Sequence, residues 1–120
     1  MIKRNPSQQR AIAHLSGPMM VLAGPGSGKT SVIVERTAYM INEGGISPSN
    51  ILVVTFSRAA AKEMKERFIK KFAPERIPAF STINSFCLSV INTCAKEKYI
   101  HVPKLVPNNE SIVRAIAAKM

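Results

Sequence analysis

Residues 19–30 read Met-Met-Val-Leu-Ala-Gly-Pro-Gly-Ser-Gly-Lys-Thr. An apolar run, Met19 to Ala23, leads into a loop with glycines at 24, 26 and 28 that ends in Lys29-Thr30. The run predicts a strand, and the residues after Gly28 predict a helix. Phosphate binding asks for this order. Glycines let backbone N–H groups crowd around an anion, a lysine reaches the β- and γ-phosphates, and a threonine hydroxyl ligates Mg²⁺. A helix beginning near Thr30 adds its positive N-terminal end. Ala23 stands where the strict pattern G-x-x-x-x-G-K-[ST] has its first glycine, and a small residue still allows the turn. The expectation is a nucleoside triphosphate site made by Ala23, Gly24, Pro25, Gly26, Ser27, Gly28, Lys29, Thr30 and Ser31, with Mg²⁺ on Thr30. The bland alternative is an ordinary glycine-rich turn between strand and helix, which has no need of the Lys-Thr pair.

Composition narrows the class. The chain has 120 residues, 46% of them hydrophobic. That is enough for one domain with a core. No apolar run approaches the roughly 20 residues that span a bilayer, and the first residues turn polar at once, without a signal-peptide core. The expected location is cytoplasmic, with no membrane partner. Seventeen Lys and Arg against seven acids give a net charge of +10. A polyanion is the natural partner, and nucleic acid is the commonest one. The alternatives are a solvated basic surface or a piece of a longer chain whose acidic half lies elsewhere. All seven acids are glutamates. P-loop NTPases usually hold Mg²⁺ with an aspartate as well. Either the chain is part of a larger enzyme, or it binds nucleotide without efficient hydrolysis.

The alternation along the chain is α/β. Asn5-Pro6-Ser7 opens a helix to about Leu15, and Ser16-Gly17-Pro18 breaks it. A second helix runs from Lys29 to about Asn42, where Gly44-Gly45 stops it. Ile51–Thr55 is a continuous apolar run of the kind buried on both faces in a parallel sheet. Ser57 can cap the next helix, whose core face is Ala60, Met64, Phe68 and Phe72. Lys62/Glu66, Glu63/Arg67 and Glu66/Lys70 pair on its outer surface. Ile77–Phe80 predicts a third strand. Ile83, Phe86, Cys87, Val90, Ile91 and Cys94 predict the core face of a further helix to about Ala95. Seven helical residues separate the two cysteines by about 10 Å, too far for a disulfide, so both are expected as core thiols. His101 to Val106 should be extended, and Asn108 or Asn109 should cap a last helix carrying Ile112, Ala115 and Ile116. Ligands of such a sheet bind beyond the carboxyl ends of its strands. The P-loop, Thr55-Phe56 and Ser81-Thr82 all fall at such ends.

These loops match an ordered series of motifs. Asn5-Pro6-Ser7-Gln8 is similar to the Q motif of the UvrD/Rep-like superfamily 1 DNA helicases, in which a glutamine reads adenine. Ala23 to Thr30 resembles their motif I, where alanine is common at the first position. Thr55-Phe56-Ser57-Arg58-Ala59-Ala60-Ala61-Lys62-Glu63-Met64 resembles motif Ia, and Ser81-Thr82-Ile83-Asn84-Ser85-Phe86-Cys87 resembles motif Ib. The chain resembles the first half of the family's first motor domain over essentially its whole length. It departs at Arg58-Ala59, where Asn-Lys is usual, at Asn84, where histidine is usual, and at Ser31, where arginine is common. Motif II with its Asp-Glu pair, the second motor domain and the arginine fingers have no counterpart in these residues.

The resemblance implies a P-loop NTPase (RecA-like) parallel sheet flanked by helices, incomplete. Residues 1–107 would be the N-terminal part of the ATP-binding motor domain, and 108–120 the start of a truncated helical subdomain. It implies an ATP-dependent DNA helicase, with ATP and Mg²⁺ as cofactors, single-stranded DNA as partner, and a second motor domain completing the site. Lys29 and Thr30 would serve catalysis. The alternatives are the helicase subunit of a helicase–nuclease, or a P-loop NTPase or kinase of other function. Gln8 would read adenine, with Gln9 as reader if the register slips by one. Thr55, Phe56, Ser57, Arg58, Thr82, Asn84 and Ser85 would contact DNA. For Phe56 the alternative is a core ring at a strand end. For Ser57 and Thr82 it is simple helix capping, and for Arg58 a solvated side chain.

Overall fold

The computed structural model describes residues 4–99 and 101. The expected extended stretch to Val106, the last helix and the boundary at 107/108 lie outside the described residues. The chain divides into two compact units, Met1–Phe86 and Cys87–Met120.

Helix α1 spans Pro6–Ala13. Asn5 caps it reciprocally: its side chain accepts from the Gln8 N–H at 2.8 Å, and the Gln8 carboxamide accepts from the Asn5 N–H at 3.1 Å. Pro6 fits the first turn because that position has no N–H to lose. The helix stops at Ala13, two residues before the expected end.

Helix α2 spans Lys29–Asn42, as its boundary signals predict. Gly28 precedes it in the left-handed region, φ 81°, so the helix begins with no side-chain cap. At its other end the Glu43 and Gly44 N–H groups both donate to Tyr39 O. A Cβ on Gly44 would stand 2.6 Å from Met40 O, so only glycine closes this end.

A 3-10 turn, Pro48–Asn50, delivers the chain to strand β1, Leu52–Thr55. Helix α3, Arg58–Phe72, crosses back to strand β2, Ala79–Thr82. β1 and β2 pair in parallel, Leu52 with Ala79 through Thr55 with Thr82. Ser57 caps α3 by accepting from the Ala60 N–H at 3.2 Å. Ala73, left-handed at φ 42°, ends it ahead of Pro74, which disfavours continuation. Lys62–Glu66 and Glu63–Arg67 pair on the outer face as expected, and Glu66 does not reach Lys70.

The core lies where α2, α3 and β2 meet. Val34, Ala38 and Phe68 are buried, with Ile41, Met64, Phe72 and Phe80 packed around them. The Phe68 ring lies 5.4 Å from Phe72 and 5.7 Å from Phe80, centroid to centroid, both tilted. On α3 the buried alanine is Ala61; Ala60 is half-buried.

Four expectations need correction. Met19–Ala23 is not a strand, and its side chains are exposed. A strand exists through a hydrogen-bonded neighbour, and none of the described residues pairs with this segment. β1 is not buried on both faces, since Leu52 and Val54 remain exposed. β2 lies two residues later than Ile77–Phe80, because its pairing begins only at Ala79. Helix α4, Ile83–Lys96, forms, but none of its residues is buried. Its cysteines are therefore not core thiols: Cys87 is exposed and Cys94 half-buried, both free. Its helical spacing still makes a continuous apolar stripe, which a periodicity argument cannot distinguish from a packed face.

Phe68→Ala should destabilise the protein by about 3–5 kcal/mol, because it empties the centre of this packing. Urea unfolding of the two proteins measures it.

Candidate functional site

The glycine-rich loop, Gly24 to Gly28, gathers against the start of α1. Gln8 Nε2 donates to Ser27 O at 3.0 Å, across 19 residues of sequence. Gly26 and Gly28 hold φ 71° and 81°, conformations that other L-residues rarely adopt. The Val32 N–H donates to Gly28 O at 3.0 Å and starts the helical ladder. The earlier N–H groups of α2 thus lie ahead of that ladder with no side-chain cap, in the position where helices bind anions. Lys29 Nζ donates to Gly24 O at 2.8 Å and more weakly to Ala23 O at 3.4 Å, folded over the loop. No hydrogen bond engages the Thr30 hydroxyl among the described residues.

A cavity of about 470 Å³ opens beside this loop. Gln8, Ala23, Gly24, Ser27 and Lys29 line one side, and Ala11, Met19, Val21, Leu22, Val32 and Ile33 supply apolar wall. That size and mixture suit a small-molecule ligand. Arg36 lines it too, held by donation to Ala11 O at 2.7 Å. The donors fit a nucleotide polyphosphate: glycine backbone, bare helix start, one ammonium and one free hydroxyl. A three-member cluster of His, Cys, Asp or Glu that could hold a metal by itself does not occur among the described residues.

The second set of expected residues assembles at the carboxyl ends of β1 and β2. The register places Thr55 beside Thr82. Thr55 Oγ1 donates to Ser57 O at 2.8 Å, and Ser57 Oγ caps α3. Thr82 is buried; its hydroxyl donates to Ser85 Oγ at 2.9 Å and accepts from the Ser85 N–H at 3.1 Å. Phe56, between these caps, is 98% exposed, so it is not a core ring. Asn84 is exposed. Arg58, Lys62 and Lys65 face Ser81, Thr82 and Ser85 around a cavity of about 330 Å³. The cavity beside the glycine-rich loop and this cationic cavity share no lining residue. No helix among the described residues is long and apolar enough to cross a membrane.

A model of the UvrD/REP helicase N-terminal domain family matches residues 4–119. The chain belongs to this family. It is 40% identical over 88 residues to the ATP-dependent DNA helicase PcrA of Staphylococcus aureus, and 42% identical over 88 residues to that of Bacillus subtilis. Each match covers 72% of this chain but 12% of the relative, so the chain spans about an eighth of the length of the curated relatives it matches.

Sequence reasoning missed an ionic cluster beside the glycine-rich loop of this UvrD/REP domain. Glu35 takes the Arg4 guanidinium on both oxygens, with Nε to Oε2 at 2.7 Å, and also pairs with Lys71 from the last turn of α3. The Arg4 hydrogen bonds hold the Glu35 carboxyl well below the ordinary range, at about 2, helped by Lys71 and opposed by burial. The Arg4 pKa is raised in return, chiefly by the same hydrogen bond. A signal did exist. Glu35 is the first acid of a +10 chain and lies on a helix that must pack. Lys71 gave no such signal, because a cation near the end of a helix is favourable without any partner.

A carboxylate with a depressed folded pKa stabilises above its unfolded pKa, near 4.3, and loses that contribution as pH falls toward its folded value. Between pH of about 4.3 and about 2 the protein should lose stability through Glu35. Glu35→Gln should be less stable at pH 7 and flatter across that acid window. Urea midpoints at a series of pH values test this, and parallel curves would exclude the assignment.

Proposed function

We propose that this chain is the ATP-binding N-terminal part of an ATP-dependent DNA helicase, which couples ATP hydrolysis to translocation on single-stranded DNA and to duplex unwinding. The observation that carries the proposal is the meeting of Gln8 with an uncapped, glycine-led helix start that bears Lys29 and Thr30. Membership of the UvrD/REP family and relatives named as ATP-dependent DNA helicases support it. The fold it implies is a P-loop, RecA-like sheet, of which β1 and β2 are two neighbouring strands.

Bound ATP with Mg²⁺ supplies the phosphoryl transfer that powers movement. The α2 N–H groups at residues 29–31 and the loop from Ala23 to Gly28 cradle phosphate oxygens. Lys29 leaves the Gly24 and Ala23 carbonyls for those oxygens, exchanging neutral acceptors for charged ones, which make stronger bonds. Thr30 offers its free hydroxyl to the metal. Gln8 keeps one donor hydrogen and one acceptor lone pair beyond its bonds to Ser27 and Asn5, enough to pair with the adenine edge. Hydrolysis also needs a carboxylate to orient water and an arginine for the developing charge. We place these in parts of the full-length protein outside the residues described.

At the strand ends, Phe56 is the stacking side chain, and Ser57, Arg58, Asn84 and Ser85 hold the DNA backbone. Thr55 and Thr82 have committed hydroxyls, so they shape these turns and approach DNA through them. Contacts of this kind position a strand without reading its sequence.

Lys29→Ala should remove most ADP and ATP binding in calorimetry, since it deletes the ammonium that reaches the phosphates. Phe56→Ala should weaken single-stranded DNA binding by about 1–3 kcal/mol in a fluorescence-anisotropy titration. Because the ring is almost fully exposed, the melting temperature should not move. Affinity should fall steeply with salt, as phosphate contacts release counterions.

A further inference from the structure

We propose that Arg4 and Glu35 form a brace that sets the P-loop against α1, with Glu35 a positioning residue that acts on the loop through Arg4; the inference rests on the nucleotide-binding reading above. Glu35 lies six residues beyond Lys29, about 9 Å along the helix axis, too far along to meet the phosphate cradle itself. Arg4 bridges that distance. Its Nε and Nη2 engage both carboxylate oxygens of Glu35, which leaves Nη1 outside the fork. A Cβ built on Gly28 would lie 3.9 Å from Arg4 Nη1 and 3.6 Å from Gln8 Nε2. The guanidinium and the carboxamide therefore roof the left-handed glycine at which the loop becomes a helix.

The connections form a closed circuit. Glu35 fixes Arg4, and Arg4 precedes Asn5, the cap of α1. The Asn5 N–H donates to Gln8 Oε1, and Gln8 Nε2 donates to Ser27 O of the loop. From Ser27 the chain passes through Gly28 into α2 and returns to Glu35. Both side chains of the fork are largely shielded, at 12% and 18% exposure. A planar two-bond fork fixes direction as well as distance. Lys71 holds Glu35 from α3, so the carboxylate cannot follow Arg4 if the α1 cap drifts. The consequence is preorganisation: the adenine-reading carboxamide and the phosphate loop keep one spacing before nucleotide arrives.

The test is calorimetric titration of the intact protein with ADP and with GDP in Mg²⁺, each variant paired with a thermal melt. Glu35→Gln and Arg4→Met should each weaken ADP binding about tenfold and narrow the preference for ADP over GDP, because preorganisation is lost. The double variant should bind no more weakly than the weaker single one, because both break one brace. Arg4→Lys keeps a cation for Glu35 and so keeps the fold, but it loses the fork and should still weaken ADP. Lowered melting temperatures with unchanged ADP affinity and unchanged ADP-to-GDP ratio would make the cluster purely structural and overturn the brace. Additive losses in the double variant, or unmutated affinity in Arg4→Lys, would overturn it as well. Lys29→Ala separates the two ideas. Full ADP affinity in that variant refutes the phosphate cradle itself, whereas loss there beside intact binding in Glu35→Gln refutes only the brace.

Discussion

The seam between α2 and α3 organises the described structure. Phe68 inserts between Val34 and Ala38 on one side and Phe80 on the other, and is 1% exposed. One aromatic ring thereby fixes the helix that follows the glycine-rich loop, the helix that follows Phe56, and the strand that leads to Thr82. A buried ring of this size contributes more than any single polar contact in the chain. The two candidate sites lie at separate places, but both hang from elements that this ring joins.

Charge is placed around that seam with economy. The chain has an excess of cations, and packing positions one of its acids, Glu35, among them. Glu35 follows Val34 directly, so burying Val34 turns its neighbour toward the rim, where Arg4 and Lys71 converge. Glu63 and Glu66 instead lie on the exposed face of α3 and pair locally with Arg67 and Lys62. Exposed i,i+4 pairs contribute only a few tenths of a kcal/mol each. The three-member cluster is a different matter, because both carboxylate oxygens of Glu35 are hydrogen-bonded and it joins segments 31 and 36 residues apart.

The same polar side chains serve folding and the proposed chemistry. Gln8 is at once the third residue of a capping box and the contact to Ser27. Thr82 and Ser57 start helices next to an exposed aromatic ring. For Ser57 and Thr82, capping and ligand contact are rival readings of the sequence. The geometry makes capping the resident role and leaves particular lone pairs and hydrogens for a ligand.

The sequence alone determined what depends on neighbours a few residues apart. Gly28 and Gly44 bound α2 because left-handed and crowded backbone positions exclude other residues. Asn5, Ser57 and Pro74 fixed helix ends through local caps and breaks, and the ordered motifs placed the chain in its family. Long-range partnership was not legible. The apolar run Met19–Ala23 has strand composition, but composition cannot supply the neighbour that makes a strand. The stripe on α4 has the right period but no burial, because period records amphipathicity and not the surface that covers it. Phe56 could be core or exposed on sequence grounds, and only the turn after β1 decided it. The Arg4–Glu35–Lys71 cluster is the clearest tertiary product. Its members are far apart in the chain and follow no motif; α1 lying on α2 brings Arg4 to Glu35, and Phe68, by joining α2 to α3, brings Lys71.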